Sequence, residues 1–338
     1  MTPLAEELLV WFERHGRKDL PWQSSPPNIY HIWLSEVMLQ QTQVSTVIDY
    51  FNAFVVSFPD LFSLASASDD RVMAQWAGLG YYSRARNLHK TAKIVCSRHG
   101  GSFPKTYKEL VTLPGIGPST AGAILSLGSN IEAPILDGNV KRVLSRYHRV
   151  EGHYSKASVM KSLWELATSH TPSIRNAEYT QAIMDIGATV CTPKNPSCDI
   201  CPISTQCEAF LNNEQLLFPQ KKPRKTSKPE KSLAFLIYIN EQQEIFLNKR
   251  PAKGIWGGLW SFEECKDEAS TIKKTIKAHN KNAKVIRRLD SFKHSFTHYN
   301  LWISPVLIES PGGSNNYFKQ GSMLKGVPTP VKKIIQAL

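Results

Sequence analysis

Long apolar runs are missing from this chain. None of its 338 residues belongs to a stretch approaching the ~18 apolar residues that a membrane helix needs. Acidic residues are scarce beside basic ones, with 28 Asp plus Glu against 41 Lys plus Arg and a formal net charge of +13. That imbalance disfavours an acidic small molecule as the main ligand and favours a polyanion such as nucleic acid. Cysteines are few. Of the six, Cys96 and Cys265 stand apart and four are bunched between Cys191 and Cys207, which argues against a disulfide scaffold and for metal in a reducing compartment. The opening stretch, Met1 to Gly16, carries Glu6, Glu7 and Glu13 and lacks both the basic start and the apolar core of a secretory signal. Transit peptides avoid acids, so the simplest expectation is a cytoplasmic protein.

What is present begins with Cys191, Cys198, Cys201 and Cys207, separated by gaps of six, two and five residues. Four closely spaced thiolates suit a metal centre, and a [4Fe–4S] cubane takes four Cys ligands. Zinc competes for such a set, although its sites usually show two short Cys pairs. Lys194 and polar residues lie between the ligands, fit to face a phosphate.

Hydrophobic content of 41% is that of a globular protein, and the length allows two or three domains. Residues 1–220 read as helical. Met1–Gly16 has an amphipathic pattern, and from Trp33 to Phe58 apolar residues recur at three- and four-residue steps. Further helical patterns cover Asp70–Ala77, Ala85–Arg98, Tyr107–Thr112, Ser119–Leu127, Val140–Tyr147, Ser158–Ser169 and Tyr179–Thr189. Residues 221–231 are basic, hold two prolines and read as an exposed linker. Beyond them, 232–338 reads as an α+β domain. Leu233–Ile239 and Glu244–Lys249 form a hairpin, Ser291–Ile303 alternates, and 267–280 and 328–338 are helices.

Two motifs carry chemistry. In Leu113-Pro-Gly115-Ile-Gly117-Pro-Ser119-Thr120, paired glycines precede a small-residue helix, so a tight turn exposes N–H groups that can hold a phosphate. An ordinary corner between helices is the plainer alternative. Asp137, in Leu136-Asp137-Gly-Asn139-Val, is well suited to cap the helix that follows, and capping alone would explain it.

Taken in order, the helix-hairpin-helix turn, the Asp some twenty residues on and the Cys run resemble the endonuclease III superfamily of DNA glycosylases. Leu20-Pro21-Trp22, Trp33 through Glu36 to Gln40-Gln41-Thr42-Gln43 and Gly78-Leu-Gly-Tyr81-Tyr82 resemble one branch, the A/G-specific adenine DNA glycosylases of the MutY type. The resemblance implies an all-α helix-hairpin-helix glycosylase domain (the motif near 108–127, an iron–sulfur loop at 191–207) followed by a Nudix-like α+β domain. With the ligand spacing, it favours a [4Fe–4S] cluster over zinc. It implies Glu36 as general acid toward adenine and then base for water, Asp137 as the carboxylate facing the sugar cation, and Asn139 as support. It places Gln40, Gln41 and Tyr81 at a minor-groove wedge and Leu113, Gly115, Gly117 and Ser119 on the DNA backbone. Gln181 would read the adenine edge.

Ser119 stands where strand-cleaving relatives carry a Lys, and a hydroxyl cannot form an imine, so a monofunctional enzyme is expected. In the second domain, Lys249 through Trp256 to Glu263 resembles the start of a Nudix fold. The Arg-Glu-x-x-Glu-Glu helix needed for pyrophosphate hydrolysis is missing, so lesion reading is expected instead. Phe296, Thr297 and His298 match the family's Phe-Ser-His element for 8-oxoguanine, with Thr where Ser is usual. Periodicity alone reads that segment as a β-hairpin with scattered polar residues. The expected partner is double-stranded DNA bearing 8-oxoguanine:A or G:A mispairs, bound by a monomer travelling with a bacterial chromosome. The alternatives are a bifunctional pyrimidine-lesion glycosylase/lyase and a non-catalytic iron–sulfur DNA-binding protein.

Overall fold

A computed structural model describes residues 1–222, 228–312, 316–319 and 326–338. The middle of the basic linker, 223–227, lies outside the described residues. In chain order the helices and strands are α1 (Pro3–His15), α2 (Ile29–Leu39), α3 (Val44–Ser57), α4 (Leu61–Ser66), α5 (Asp69–Trp76), α6 (Ser83–His99), α7 (Tyr107–Leu110), α8 (Pro118–Ser129), α9 (Gly138–Tyr147), α10 (Ala157–His170), α11 (Asn176–Thr189) and α12 (Glu208–Leu211). They continue with β1 (Glu230–Ile239), β2 (Ile245–Phe246), β3 (Asn248–Lys249), β4 (Trp260–Ser261), β5 (Glu263–Lys266), α13 (Ala269–His279), β6 (Lys284–Arg288), β7 (Phe292–Ser295), β8 (Asn300–Glu309), β9 (Tyr317–Phe318) and α14 (Thr329–Gln336). The chain separates into two compact units, Met1–Ser66 with Asn87–Pro223 and Ala67–Arg86 with Arg224–Leu338. Residues 67–86, read from sequence as part of the helical domain, thus group with the second unit.

In the first unit the uniform apolar spacing from Trp33 to Phe58 resolves into two helices. The chain leaves α2 at Gln40, and Gln41 takes a left-handed conformation with φ 59° before α3 begins. Tyr30, Ile32, Trp33, Leu34, Ser35, Val37 and Met38 of α2 are all buried, so the helix runs through the core and Glu36 is the only carboxyl on it. Residues from α1, α8, α9, α10 and α11 build the neighbouring cluster around Leu8, Val143, Leu163 and Ile186. Helix α8 is made of small residues for a steric reason. A Cβ on Gly122 would come within 2.1 Å of the Pro134 carbonyl oxygen. Only a bare backbone lets the extended segment before Asp137 lie this close to α8.

In the second unit, β1 runs parallel to β8 over the ten pairs Glu230↔Asn300 to Ile239↔Glu309. It also pairs antiparallel with β5 and with β2, whose partner is β9. Strands β6 and β7 both pair with β8. Helix α13 lays Ile272 and Ile276 on Ala234, Leu236, Tyr238, Val306 and Ile308. Its basic side chains are lysines 273, 274 and 277 together with His279, and it has no carboxylate. The hairpin between β1 and β2 forms as its spacing suggests, whereas the alternating run 291–303 divides into β7 and β8 around a turn closed by Phe296 N–H donating to Tyr299 O at 2.9 Å.

Candidate active site

Seven of the residues singled out from sequence line one cleft of about 1220 Å³ in the first unit: Glu36, Gln40, Gln41, Ser119, Asp137, Asn139 and Gln181. They come from four places in the chain: α2 and its end, the start of α8, the start of α9, and α11. Glu36 projects from the last turns of α2, and Gln40 and Gln41 form the break that follows. Asp137 caps α9, with Oδ1 accepting the Val140 N–H at 2.8 Å. The capping role suggested by sequence is therefore real, and it leaves Asp137 on the cleft wall.

The two carboxyl groups are electrostatically unlike ordinary surface acids. Burial, reinforced by the Asp137 charge, pushes Glu36 up to about 8. Asp137 is also raised by burial, but N–H groups of Val140 and Asn139 and the charges of Arg142 and Lys141 oppose the shift. One carboxyl is thus biased to keep a proton at neutral pH while its neighbour is supplied with partners for its charged form.

Ser119 is not helix filler. Its Oγ accepts the Leu136 N–H at 3.0 Å, tying α8 to the residue immediately before Asp137. Arg142, not singled out from sequence, locks the other side. It donates to Asn139 Oδ1 at 2.8 Å, Gly187 O at 2.6 Å and Cys191 O at 2.7 Å. Gly187 is required here, because a Cβ would meet Asn139 Cβ at 2.6 Å. Across the cleft, Gln181 donates Nε2 to Asp185 Oδ1 at 2.8 Å, and Asp185 is ion-paired with Arg17.

The helix-hairpin-helix turn is a separate feature between α7 and α8. Leu113 is buried, whereas Gly115 and Gly117 are exposed. Gly115 adopts φ 81°, and Gly117 caps α8 with Pro118 as the first helical residue. The turn thus exposes its backbone and not the Leu113 side chain.

All four cysteines of the run surround another small cavity, with Val143, Val190, Ile203 and Phe210 as its apolar walls. Arg146 of α9 donates to Cys191 Sγ at 3.2 Å and to Thr192 O at 2.8 Å. Burial, with the neighbouring cysteines adding to it, pushes the Cys201 thiol up to about 12, so without a metal its thiolate is disfavoured here. Among the described residues, no three ligating side chains converge at single-ion distance. Four sulfurs spaced around an apolar cavity suit a cubane, whose ligands attach to separate irons.

In the second unit the Tyr81 hydroxyl stands 3.3 Å from Thr297 Oγ1. Tyr81 is exposed in a left-handed conformation with φ 48°, beneath which Arg84 stacks and donates to Leu79 O and Gly80 O. Thr297 and His298 are exposed on the β7–β8 turn, and Phe296 packs on Trp256 with ring centroids 5.2 Å apart.

Family models agree with this layout. Residues 34–169 match the HhH-GPD superfamily of base excision DNA repair proteins, 191–207 the iron–sulfur binding domain of endonuclease III, and 234–337 the NUDIX domain. An adenine DNA glycosylase of Buchnera aphidicola subsp. Baizongia pistaciae is 42% identical over 99% of this chain and 97% of its own length. The chain belongs to the adenine DNA glycosylase family. The human adenine DNA glycosylase is 34% identical over 89% of this chain and 66% of its own length. Among solved structures, a thermostable thymine-DNA glycosylase superposes with TM-score 0.55 at 26% identity, covering 62% of this chain and 95% of that one. Endonuclease III bound to DNA superposes with TM-score 0.53 at 19% identity, which shows a shared fold. In this adenine DNA glycosylase family member the Cys191–Cys207 loop is the iron–sulfur site, with a [4Fe–4S] cluster as cofactor. The residues that sequence reading missed, Arg17, Arg142, Arg146 and Asp185, each have at least one partner more than 40 residues away in sequence.

Proposed function

We propose that this chain removes adenine mispaired with 8-oxoguanine or guanine in double-stranded DNA, as a monofunctional glycosylase initiating base excision repair. Family membership supplies the reaction class, hydrolysis of an N-glycosyl bond. The observation that carries the assignment of residues is Glu36, pushed up to about 8 in the cleft it shares with Asp137.

Adenine leaves poorly as an anion, and a proton at N7 makes it a competent leaving group. Glu36 holds that proton at neutral pH. As the bond to deoxyribose breaks, positive charge gathers on the sugar, and the Asp137 carboxylate stabilises it electrostatically. After adenine departs, Glu36 takes a proton from the incoming water. Asn139 braces this arrangement through Arg142. The base must first leave the stack. Gln40 and Gln41, at the helix break, act as the wedge, Gln181 reads the base edge, and Gly115 and Gly117 hold the backbone. Tyr81 with Thr297, flanked by Phe296 and His298, reads the lesion opposite. The cluster braces the loop that carries Lys194.

Ser119 supports a monofunctional enzyme, since its hydroxyl is committed to Leu136 and offers no amine. No helix among the described residues is long and apolar enough to cross a membrane. With DNA as substrate, a cytoplasmic monomer accompanying the chromosome is the location and state we propose. The test is base release from 8-oxoguanine:A, G:A and thymine-glycol duplexes, with and without alkali. Release from both adenine duplexes, with strand scission only after alkali, is expected. Activity on thymine glycol alone would overturn the substrate assignment, and scission without alkali would bring a cleft amine, Lys18 or Lys141, into the reaction.

A further inference from the structure

Gln181 is held by Asp185, which is in turn held by Arg17. Asp185, one turn further along α11, is fully buried and accepts four donors. These are the Arg17 backbone N–H at 2.8 Å, Arg17 Nε at 2.9 Å, Arg17 Nη2 at 2.6 Å and Gln181 Nε2 at 2.8 Å. A carboxylate paired with a guanidinium offers acceptors only, so Gln181 must turn its NH₂ toward Asp185. Its amide oxygen has no hydrogen-bond partner among the described residues, and the side chain lines the cleft.

We infer that Asp185 and Arg17 are positioning residues that fix the Gln181 amide so that the cleft presents a carbonyl acceptor, selecting a base with an exocyclic amino donor. A purine with an amino group at C6 satisfies that oxygen. One with a carbonyl at C6 sets acceptor against acceptor and leaves both unpaired, and such mismatches of buried polar groups discriminate strongly. The inference rests on Gln181 as a base-reading residue.

The experiment measures single-turnover base release from duplexes carrying deoxyadenosine or deoxyinosine opposite guanine. The readout is the adenine-to-hypoxanthine rate ratio of each variant relative to the unsubstituted protein, so the intrinsic lability of the two bonds cancels. Asp185→Asn introduces an amide that donates as well as accepts and frees Gln181 to turn. The ratio is expected to fall roughly tenfold, whereas a purely structural role would slow both substrates alike and preserve it. Arg17→Gln, which keeps the carboxyl but strips its countercharge, is expected to lower the ratio too and serves if Asp185→Asn does not fold. Gln181→Leu separates the two layers. An unchanged ratio in Gln181→Leu overturns the base-reading role and this inference with it. A collapsed ratio in Gln181→Leu beside an unchanged one in both Asp185→Asn and Arg17→Gln overturns the orientation argument alone.

Discussion

The protonation of Glu36 gives the sharpest handle on the chemistry. With its carboxyl pushed up to about 8, roughly nine in ten molecules carry the proton at pH 7 and roughly one in ten at pH 9, by ordinary titration. In the proposed reaction Glu36 acts on adenine in its protonated form, so the activity it supports is expected below about 8 and is expected to be lost as pH rises through that value. In the same proposal Asp137 acts in its ionised form, and it is itself raised by burial. Activity therefore also falls on the acid side, and the two limbs describe the interacting pair. Single-turnover adenine release from a G:A duplex across this range is expected to trace a bell whose alkaline limb is centred near 8. Glu36→Gln is expected to slow release by about 10² to 10⁴, the usual share of a general acid, and to abolish that limb. Asp137→Asn removes a negative neighbour, so the Glu36 carboxyl, followed by carboxyl-carbon NMR, is expected to titrate at lower pH. An alkaline limb that survives unchanged in Glu36→Gln, or a Glu36 titration at the ordinary carboxylate value, would refute the reasoning.

Two further outcomes follow from geometry. Gly187→Ala sets a methyl 2.6 Å from Asn139 Cβ. It is expected to cost about 1–3 kcal/mol in thermal or urea unfolding and to slow adenine release by on the order of 10- to 100-fold through misplacement of the Asp137 cap. Unaltered kinetics would show that the approach of α11 to α9 does not position Asp137. Cys198→Ser is expected to lose the absorbance near 400 nm of an iron–sulfur protein together with duplex affinity in a filter-binding or anisotropy titration. A colourless variant that binds DNA as the unsubstituted chain does would remove the cluster from the DNA-binding surface.

Local chemistry made much of this molecule readable from its sequence. The cysteine run, the capping Asp137 and the lone carboxyl of an apolar helix are all patterns within a few residues of themselves. Where sequence reading fell short, a weak local preference met a tertiary demand. Gln40 through Gln43 are compatible with helix, so the break between α2 and α3 shows only once Gln41 is seen in a left-handed conformation. Strand β6, Lys284–Arg288, is exposed along its whole length and shows no alternation to detect. The Arg17–Asp185 pair spans 168 residues of sequence, and nothing near either residue announces the other. The grouping of Ala67–Arg86 with the second unit depends in the same way on distant partners, such as Trp260 Nε1 donating to Asp70.

Gly122 has a bearing on how natural variation in such a gene would be interpreted. It is buried, carries no functional group and sits on a helix of residues that look interchangeable. Yet any side chain there meets a backbone carbonyl at 2.1 Å, and a backbone carbonyl cannot swing aside as a side chain can. Because that carbonyl belongs to the segment leading into Asp137, even an alanine would act on the Asp137 cap with every cleft side chain intact. One added methyl thus disturbs the approach to Asp137 at a position that scoring by chemical role would pass as silent.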